Sequence, residues 1–434
     1  MDLQTTGEHV ERFSTYLDAL ASVIGPANRA GPLRDYCTGL LMPAERKSVE
    51  PMAAMTAPTR TAAQHQSLLH FVGQGNWSDE TILGKIREIV LPQIEAHGPI
   101  AAWIIDDTGF PKKGKHSVGV ARQYCGQIGK QDNCQVAVSL SIANEHASLP
   151  VAYRMYLPKA WADDTARREK AGIPDDVIFK TKPEIALDQL KWACDAGLPR
   201  GVVLMDAGYG VNTDLRSEIT ALGLRYAVGV SPNATVWTAG AKALPPKPYK
   251  GRGRRAVTPR RDDTHQPIAI DQLALDLPAT CWHSITWREG TNTELGSRFA
   301  RVRVRAAHDL KTPTDQIPEE WLVIEWPEDE TAPMKYWFST LDATITFTEL
   351  VGAIKLRWRI ERDYLELKQE VGLGHYEGRG WRGFHHHATL CIAAYGFLVL
   401  EKAAFPPSET GRRILRAQSS IPENYRPRGA AASY

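Results

Sequence analysis

Little in this sequence points outside a reducing, aqueous compartment. Its six cysteines (Cys37, Cys125, Cys134, Cys194, Cys281, Cys391) are scattered through 434 residues without a Cys-x-x-Cys pair. That spacing suits neither a disulfide framework nor a zinc ribbon, and it fits the cytoplasm. No basic stretch followed by an apolar one opens the chain, so no signal peptide is expected. The longest apolar run, 388–400, has 13 residues, short of the ~20 that a membrane span needs. No internal repeat of solenoid period is present. Net charge is also small, 52 Lys+Arg against 50 Asp+Glu. A balance this close excludes a histone-like coat protein but not a nucleic-acid partner, because local patches set the electrostatic footprint.

What is present is ordinary globular material. Hydrophobic residues at 43% and charged residues at 24% exclude wholesale disorder. The length suggests two to four structural units, and 12 Trp with 14 Tyr supply bulk for a large core. Residues 1–95 carry helical spacing over 10–23 and 78–90, the second with Ser78 as N-cap, separated by a Pro/Ala-rich stretch at 43–61. From residue 99 the pattern alternates. A short apolar run, 100–105, leads into Asp106-Asp107-Thr108-Gly109, and strands at 134–142 and 151–157 flank an Asn144-Glu145 turn. A helix over 184–196 stops at Gly197 and Pro199. A second apolar strand, 202–205, then ends in Asp206, and a helix near 212–222 and a strand at 225–230 follow. This alternation predicts an α/β layer. Residues 281–338 hold several short strand patterns. One long helix is expected from Thr346 to about Val371, opened by a Thr346/Glu349 capping box, and another over 388–403.

Two apolar strands that end in an acid bring carboxylates to one edge of a sheet, where open α/β folds bind ligands. A hard divalent cation calls for a third acid, and the long helix offers Glu361, Glu366 and Glu370. On a continuous helix at 100° per residue, Glu361 shares a face with Ile354, Arg357, Leu365 and Lys368, within about 40°. Glu366 and Glu370 lie about 140° and 180° away, beside Asp363. An acid between two cations on a partly apolar face suits metal and phosphate better than plain solvent, which selects Glu361.

Asp106-Asp107-Thr108, the strand-end Leu204-Met205-Asp206-Ala207-Gly208-Tyr209, and Arg357-x3-Glu361-x6-Lys368 together resemble the DDE transposases of bacterial insertion sequences. The branch is the one with a Tyr-x2-Arg-x3-Glu-x6-Lys signature. Longer strings at 106–114, 119–133 and 375–387 are similar to the insertion-sequence group numbered seven hundred and one. The signature tyrosine is replaced here by Ile354. The resemblance implies a ribonuclease-H-like core, a mixed sheet flanked by helices, in two parts (96–231 and 339–404). A helical DNA-binding region (1–95), a β-rich insertion (232–338) and a flexible tail (405–434) complete the chain. It further implies that Asp106, Asp206 and Glu361 hold two Mg²⁺ ions, for which Mn²⁺ can substitute, about 4 Å apart. The family pattern Asp-x-Thr/Ser favours Asp106 as first acid, while Asp107 points to the opposite face of a regular strand. Arg357 and Lys368 would grip phosphate. The partners implied are terminal inverted repeats and target DNA, with a homodimer in the DNA complex and no membrane. A non-catalytic repressor and a nuclease without strand transfer are the alternatives.

Other basic groups remain open between structure and DNA. Lys112, Lys113 and Lys115 follow the first acid, and Arg379 and Arg382 neighbour Trp381 and Phe384, whose expected role is core packing. His385-His386-His387 cannot converge on one ion from a helix, since neighbours diverge by about 100°. Arg301, Arg303 and Arg305 share one strand face, either exposed or a DNA platform. The run 247–261 carries seven basic residues and no acid, and is a solvated loop or a phosphate-tracking arm.

Overall fold

The computed structural model describes residues 3–289, 294–307 and 312–405. The tail expected at 405–434 lies, from residue 406, outside them. Five helices come first: α1 (Leu3–Ala21), α2 (Ala30–Leu41), α3 (Val49–Thr56), α4 (Thr61–Gly73) and α5 (Asp79–Glu95). Strands β1 (Ala102–Pro111), β2 (Ala121–Cys125), β3 (Lys130–Ala143) and β4 (Ser148–Met155) precede α6 (Lys159–Ala162), α7 (Thr165–Ala171) and α8 (Lys182–Asp195). Next come β5 (Val202–Met205), α9 (Ala207–Gly210), α10 (Thr213–Ala221), β6 (Tyr226–Val230), β7 (Thr235–Trp237), β8 (Ile268–Ala269) and α11 (Ile270–Asp276). The chain continues through β9 (His283–Glu289), β10 (Glu294–Ala306), β11 (Glu320–Trp326) and β12 (Lys335–Ser339) to α12 (Phe347–Lys355), α13 (Trp358–Gln369) and α14 (Trp381–Ala404).

Local chemistry accounts for many of these boundaries. The Ser78 hydroxyl accepts from the Thr81 amide at 3.2 Å and starts α5. Asn144 Oδ1 accepts from the amides of His146 and Ala147, closing the β3–β4 connection. Gly197 ends α8 in a left-handed conformation, φ +65°. Thr346 and Glu349 form the expected capping box. The Pro/Ala-rich stretch, in contrast, contains α3, whose Pro51 stands in the first turn, where a missing amide hydrogen costs nothing.

The described residues fall into two compact units, residues 3–100, 105–189 and 359–405 in one, and 101–104 and 190–358 in the other. In the first, β3 is long enough to pair antiparallel with β2 over its first half and β4 over its second. The helix α14 is the axis of this unit. It is buried on nearly all sides, as expected of a helix apolar all round, and packs on α2, α4, α5 and β4. It begins at Trp381, seven residues before the expected start, so the three histidines lie inside it. In the second unit β5 is parallel to β6 and to residues 102–104 of β1. From β6 the order continues β12-β11-β10-β7-β8, all antiparallel, with β9 also on β10. This is a mixed sheet with helices, the α/β class that the alternation predicts. No described helix is long and apolar enough to cross a membrane.

Candidate active site

The first acid stands differently from expectation. The strand expected over 100–105 does not end at Asp106 but runs on to Pro111. Thr108 and Phe110 are buried, and Gly109 lies so close to Cys125 that an added Cβ would meet its sulfur at 2.7 Å. Polar residues therefore occupy a strand interior because that strand packs tightly, not because it has ended. Asp106 Oδ1 accepts from the Asp107 amide at 2.8 Å, and its carbonyl accepts from the Tyr364 hydroxyl at 2.9 Å. Tyr364 is also 2.8 Å from the Ser139 hydroxyl. Asp107 is ion-paired to Lys182 at 2.8 Å.

The strand before Asp206 ends where the apolar run predicts. β5 ends at Met205, and Asp206 follows as the residue that opens α9. Its Oδ1 is buried and has no hydrogen-bond partner. The turn is held by backbone contact: a Cβ on Gly210 would overlap the Gly229 carbonyl oxygen, and one on Gly229 would lie 2.8 Å from the Ala207 amide nitrogen. Only glycine allows the two segments to approach this closely.

The third acid requires two corrections. The helix expected from 346 to 371 is two, α12 and α13, and Arg357 sits in the break. Neither Pro nor Gly marks that position. Lys355, the last residue of α12, is gripped by both Glu325 oxygens at 2.7 Å and covered by the rings of Trp287, Phe299 and Trp337. The amide of Leu356 is shared between Gly352 and Ala353, and that of Arg357 reaches only Ile354, which tightens the turn. Phases reckoned from Ile354 and Arg357 to Glu361 therefore do not hold. Secondly, Leu365 is 46% exposed rather than core-seeking. Glu361 is exposed with it. The buried face of α13 carries Asp363 and Glu366 beside Ile360 and Leu367. Asp363 accepts from Ser148 and from Tyr395 (2.8 Å), and burial pushes its carboxyl up to about 6. Glu366 is paired with Arg362 and Lys402, both at 2.6 Å.

Lys368, on α13, donates to the Gly109 carbonyl at 2.9 Å and to Gln127 at 3.2 Å, above the Phe110 ring. Burial lowers its ammonium to about 8. Tyr364 and Lys368, one turn apart, thus tie α13 to the main chain of β1. Tyr364 was missed in the sequence although it sits about 60° from Glu361 on the wheel, because an unpaired phenol carries no motif. Lys112 donates to the Tyr376 carbonyl at 2.8 Å and is lowered by burial. Lys113, Lys115, Arg379 and Arg382 are exposed, with Arg382 reaching the Gln74 carbonyl at 3.1 Å. Trp381 and Phe384 are core residues. The histidines are structural: His386 stands between the Val72 and Trp77 carbonyls and, when neutral, donates to one of them, His387 meets Tyr36 and Gly372, and His385 accepts from the Met155 amide. Burial lowers all three to about 4. Arg301 and Arg303 lie over the Trp321 ring, and Arg303 and Arg305 reach Glu319, so this row is engaged within its own unit. Among the described residues no three His, Cys, Asp or Glu side chains stand together as a metal site.

Residues 19–294 match the family model described as DDE superfamily endonuclease. The chain belongs to the DDE endonuclease superfamily. The matched stretch contains Asp106 and Asp206, while Glu361 lies beyond it. A probable transposase for insertion sequence element IS701 from Microchaete diplosiphon is 32% identical over 169 residues, 39% of this chain and 41% of that relative. The match thus spans less than half the relative's length. Membership of this DDE superfamily agrees with the α/β, ribonuclease-H-like character of the fold and its helical N-terminal region.

Proposed function

We propose that this DDE endonuclease-family protein is a Mg²⁺-dependent DNA transposase. It binds the terminal inverted repeats of an insertion sequence, cleaves at the element ends and joins the 3′-hydroxyl strands to target DNA. The observation that carries the reading is the Asp206 carboxylate at the end of β5, with one oxygen buried and unpartnered. A buried acceptor without a donor is costly, and a cation is the partner it lacks. Asp106, Asp206 and Glu361 offer only oxygen donors, the type that Mg²⁺ takes, with Mn²⁺ as a substitute. When bound, the ions supply activation of water or of a DNA 3′-hydroxyl and stabilisation of the leaving oxygen.

The remaining roles belong to the chain itself. Tyr364 and Lys368 hold α13 on β1, so that Glu361 is carried by a helix anchored at the Asp106 main chain. Arg357, Lys113, Lys115, Arg379 and Arg382 meet phosphate, and Lys112 and Lys368 steady the segments beside them. Helices α1–α5 contribute to recognition of the ends, a homodimer brings two ends together, and the setting is the cytoplasm.

The test uses duplexes carrying the sequences that flank the reading frame. Wild-type protein cleaves them in Mg²⁺ and joins pre-cleaved ends, whereas Asp106→Asn, Asp206→Asn and Glu361→Gln bind and do neither. Cleavage by Glu361→Gln at the wild-type rate would overturn the site assignment. Hydrolysis without joined product would leave an endonuclease that is not a transposase.

A further inference from the structure

We propose that residues 245–259 form an arm that lies along the phosphate backbone of duplex DNA. No Asp or Glu occurs from residue 219 to 261, a stretch that holds nine Lys and Arg. Within it, residues 247–258 are exposed throughout and contain neither helix nor strand. The segment is nevertheless pinned at its root. Leu244 and Arg260 exchange two backbone hydrogen bonds of 2.8 Å, Arg260 Nε donates to the Pro245 carbonyl at 3.1 Å, and Arg261 donates to the Ala307 carbonyl at 2.7 Å. Two of the seven cations of the run therefore hold the root. The other five, Lys247, Lys250, Arg252, Arg254 and Arg255, have no hydrogen bond or ion pair among the described residues.

Five unneutralised cations within nine residues repel one another, and this arrangement contributes nothing to the fold. It is accounted for by a ligand that is itself a row of negative charges. Gly251 and Gly253 flank Arg252 in left-handed conformations, φ +80° and +77°, with nothing near either Cα that a side chain would meet. The turn at Arg252 thus stands open to solvent on both sides. A pinned arm of this length can reach about 23 Å from its root, enough to follow several phosphates at one charge per ~1.7 Å of duplex. An acidic protein surface is the lesser fit, since Tyr249 and Val257 are the only large apolar side chains exposed on the arm and protein interfaces depend on buried apolar anchors. The inference rests on the reading of the chain as an enzyme that acts on DNA, but not on its metal site.

The experiment measures binding of the full-length Glu361→Gln protein to a fluorescent duplex of arbitrary sequence, in EDTA, across a salt series. Lys250→Gln, Arg252→Gln, Arg254→Gln and Arg255→Gln are then combined in that background. Each lost phosphate contact lowers the slope of log K against log salt by about 0.9, so a fall of about 2 to 4 is expected. Affinity near 0.1 M salt should drop at least tenfold, with an unchanged unfolding midpoint. Substituting the three arginines by lysine should keep the slope. An unchanged slope in the neutralised protein overturns the proposal, as does intact DNA binding with lost binding to polyglutamate, which would mark an acidic protein partner. Cleavage assays on the same arm variant in an otherwise wild-type chain keep the two readings apart: a metal-site failure abolishes cleavage without altering the slope.

Discussion

The two strand-borne aspartates are braced in opposite ways. Around Asp106 the bracing is by side chains: Tyr364 on its carbonyl, Lys368 on that of Gly109, Lys182 on the neighbouring Asp107. Around Asp206 it is by the absence of side chains, with Gly210 and Gly229 letting backbone press on backbone. The first arrangement satisfies its polar groups internally. The second leaves a carboxylate oxygen buried and bare. On the proposed reading, a site that receives a cation needs at least one ligand that the fold itself has not already satisfied, and the unpartnered Asp206 oxygen would be that ligand.

The contrast can be broken most sharply at Asp206. Asp206→Asn should lower Mg²⁺-dependent cleavage by at least about a hundredfold, more than loss of an outer-shell partner does. Mg²⁺ should raise the melting temperature of the wild type and leave that of the variant unmoved; a metal-induced shift in both would detach Asp206 from the ion. Next, Gly210→Ala should cost about 3 kcal/mol, since the new methyl overlaps the Gly229 carbonyl. Denaturant unfolding that showed a loss below ~1 kcal/mol would mean that α9 can move off β6.

The side-chain-braced unit makes a prediction about acid. His385, His386 and His387 are lowered to about 4, while Asp79 is raised to about 7 and Asp363 to about 6, all chiefly by burial. His386 faces Asp79 and Arg382, His387 faces Lys112 and His375, and His385 faces Arg154. Between about pH 6 and 4.5 the unfolded chain holds three histidine protons that the native chain lacks, while the native chain holds about two carboxyl protons that the unfolded chain lacks. The unfolded state binds about one proton more, so stability falls with pH by roughly 1.4 kcal/mol per unit. Asp79→Asn deletes an opposing group and should steepen that fall; melting scans across the window that showed no steepening would sink the assignment. Smallest is Tyr364→Phe, which removes two hydrogen bonds from the brace at a cost of about 1–2 kcal/mol. Cleavage should slow by about tenfold through kcat, with DNA affinity unaltered, if the phenol positions α13.

The same contrast explains what could be read from sequence. β5 and Asp206, the caps at Ser78 and Thr346, the Asn144 turn and the Gly197 stop are local events, decided by residues within a few positions of each other. Beyond Asp106, β1 packs at Gly109 against Cys125, sixteen residues further on in another strand. The break between α12 and α13 depends on Glu325 and three aromatic rings brought in by the β-rich strands, and no breaker residue announces it. Exposure of Leu365, with Asp363 and Glu366 turned inward beside Ile360 and Leu367, departs from a simple apolar-in pattern. It follows from hydroxyls at Ser148 and Tyr395 that only the tertiary fold supplies. The family motifs single out Asp106, Asp206 and Glu361 as the candidate acids without reference to these surroundings, because they are patterns of residue identity and spacing.

One consequence concerns the order in which the chain is made. The helix α14, residues 381–404, is the surface on which α2, α4, α5 and β4 pack. It also receives Tyr16 at the Ala393 carbonyl, and Arg12 at Glu401. The N-terminal helices therefore leave the ribosome with their apolar faces uncovered and wait for some three hundred further residues. At cellular elongation rates that delay is on the order of 15 to 60 s. A message cut short before α14 would yield a product without a core to join, prone to aggregate and open to proteolysis. The chain thus completes this unit only once residues 381–404 have been translated.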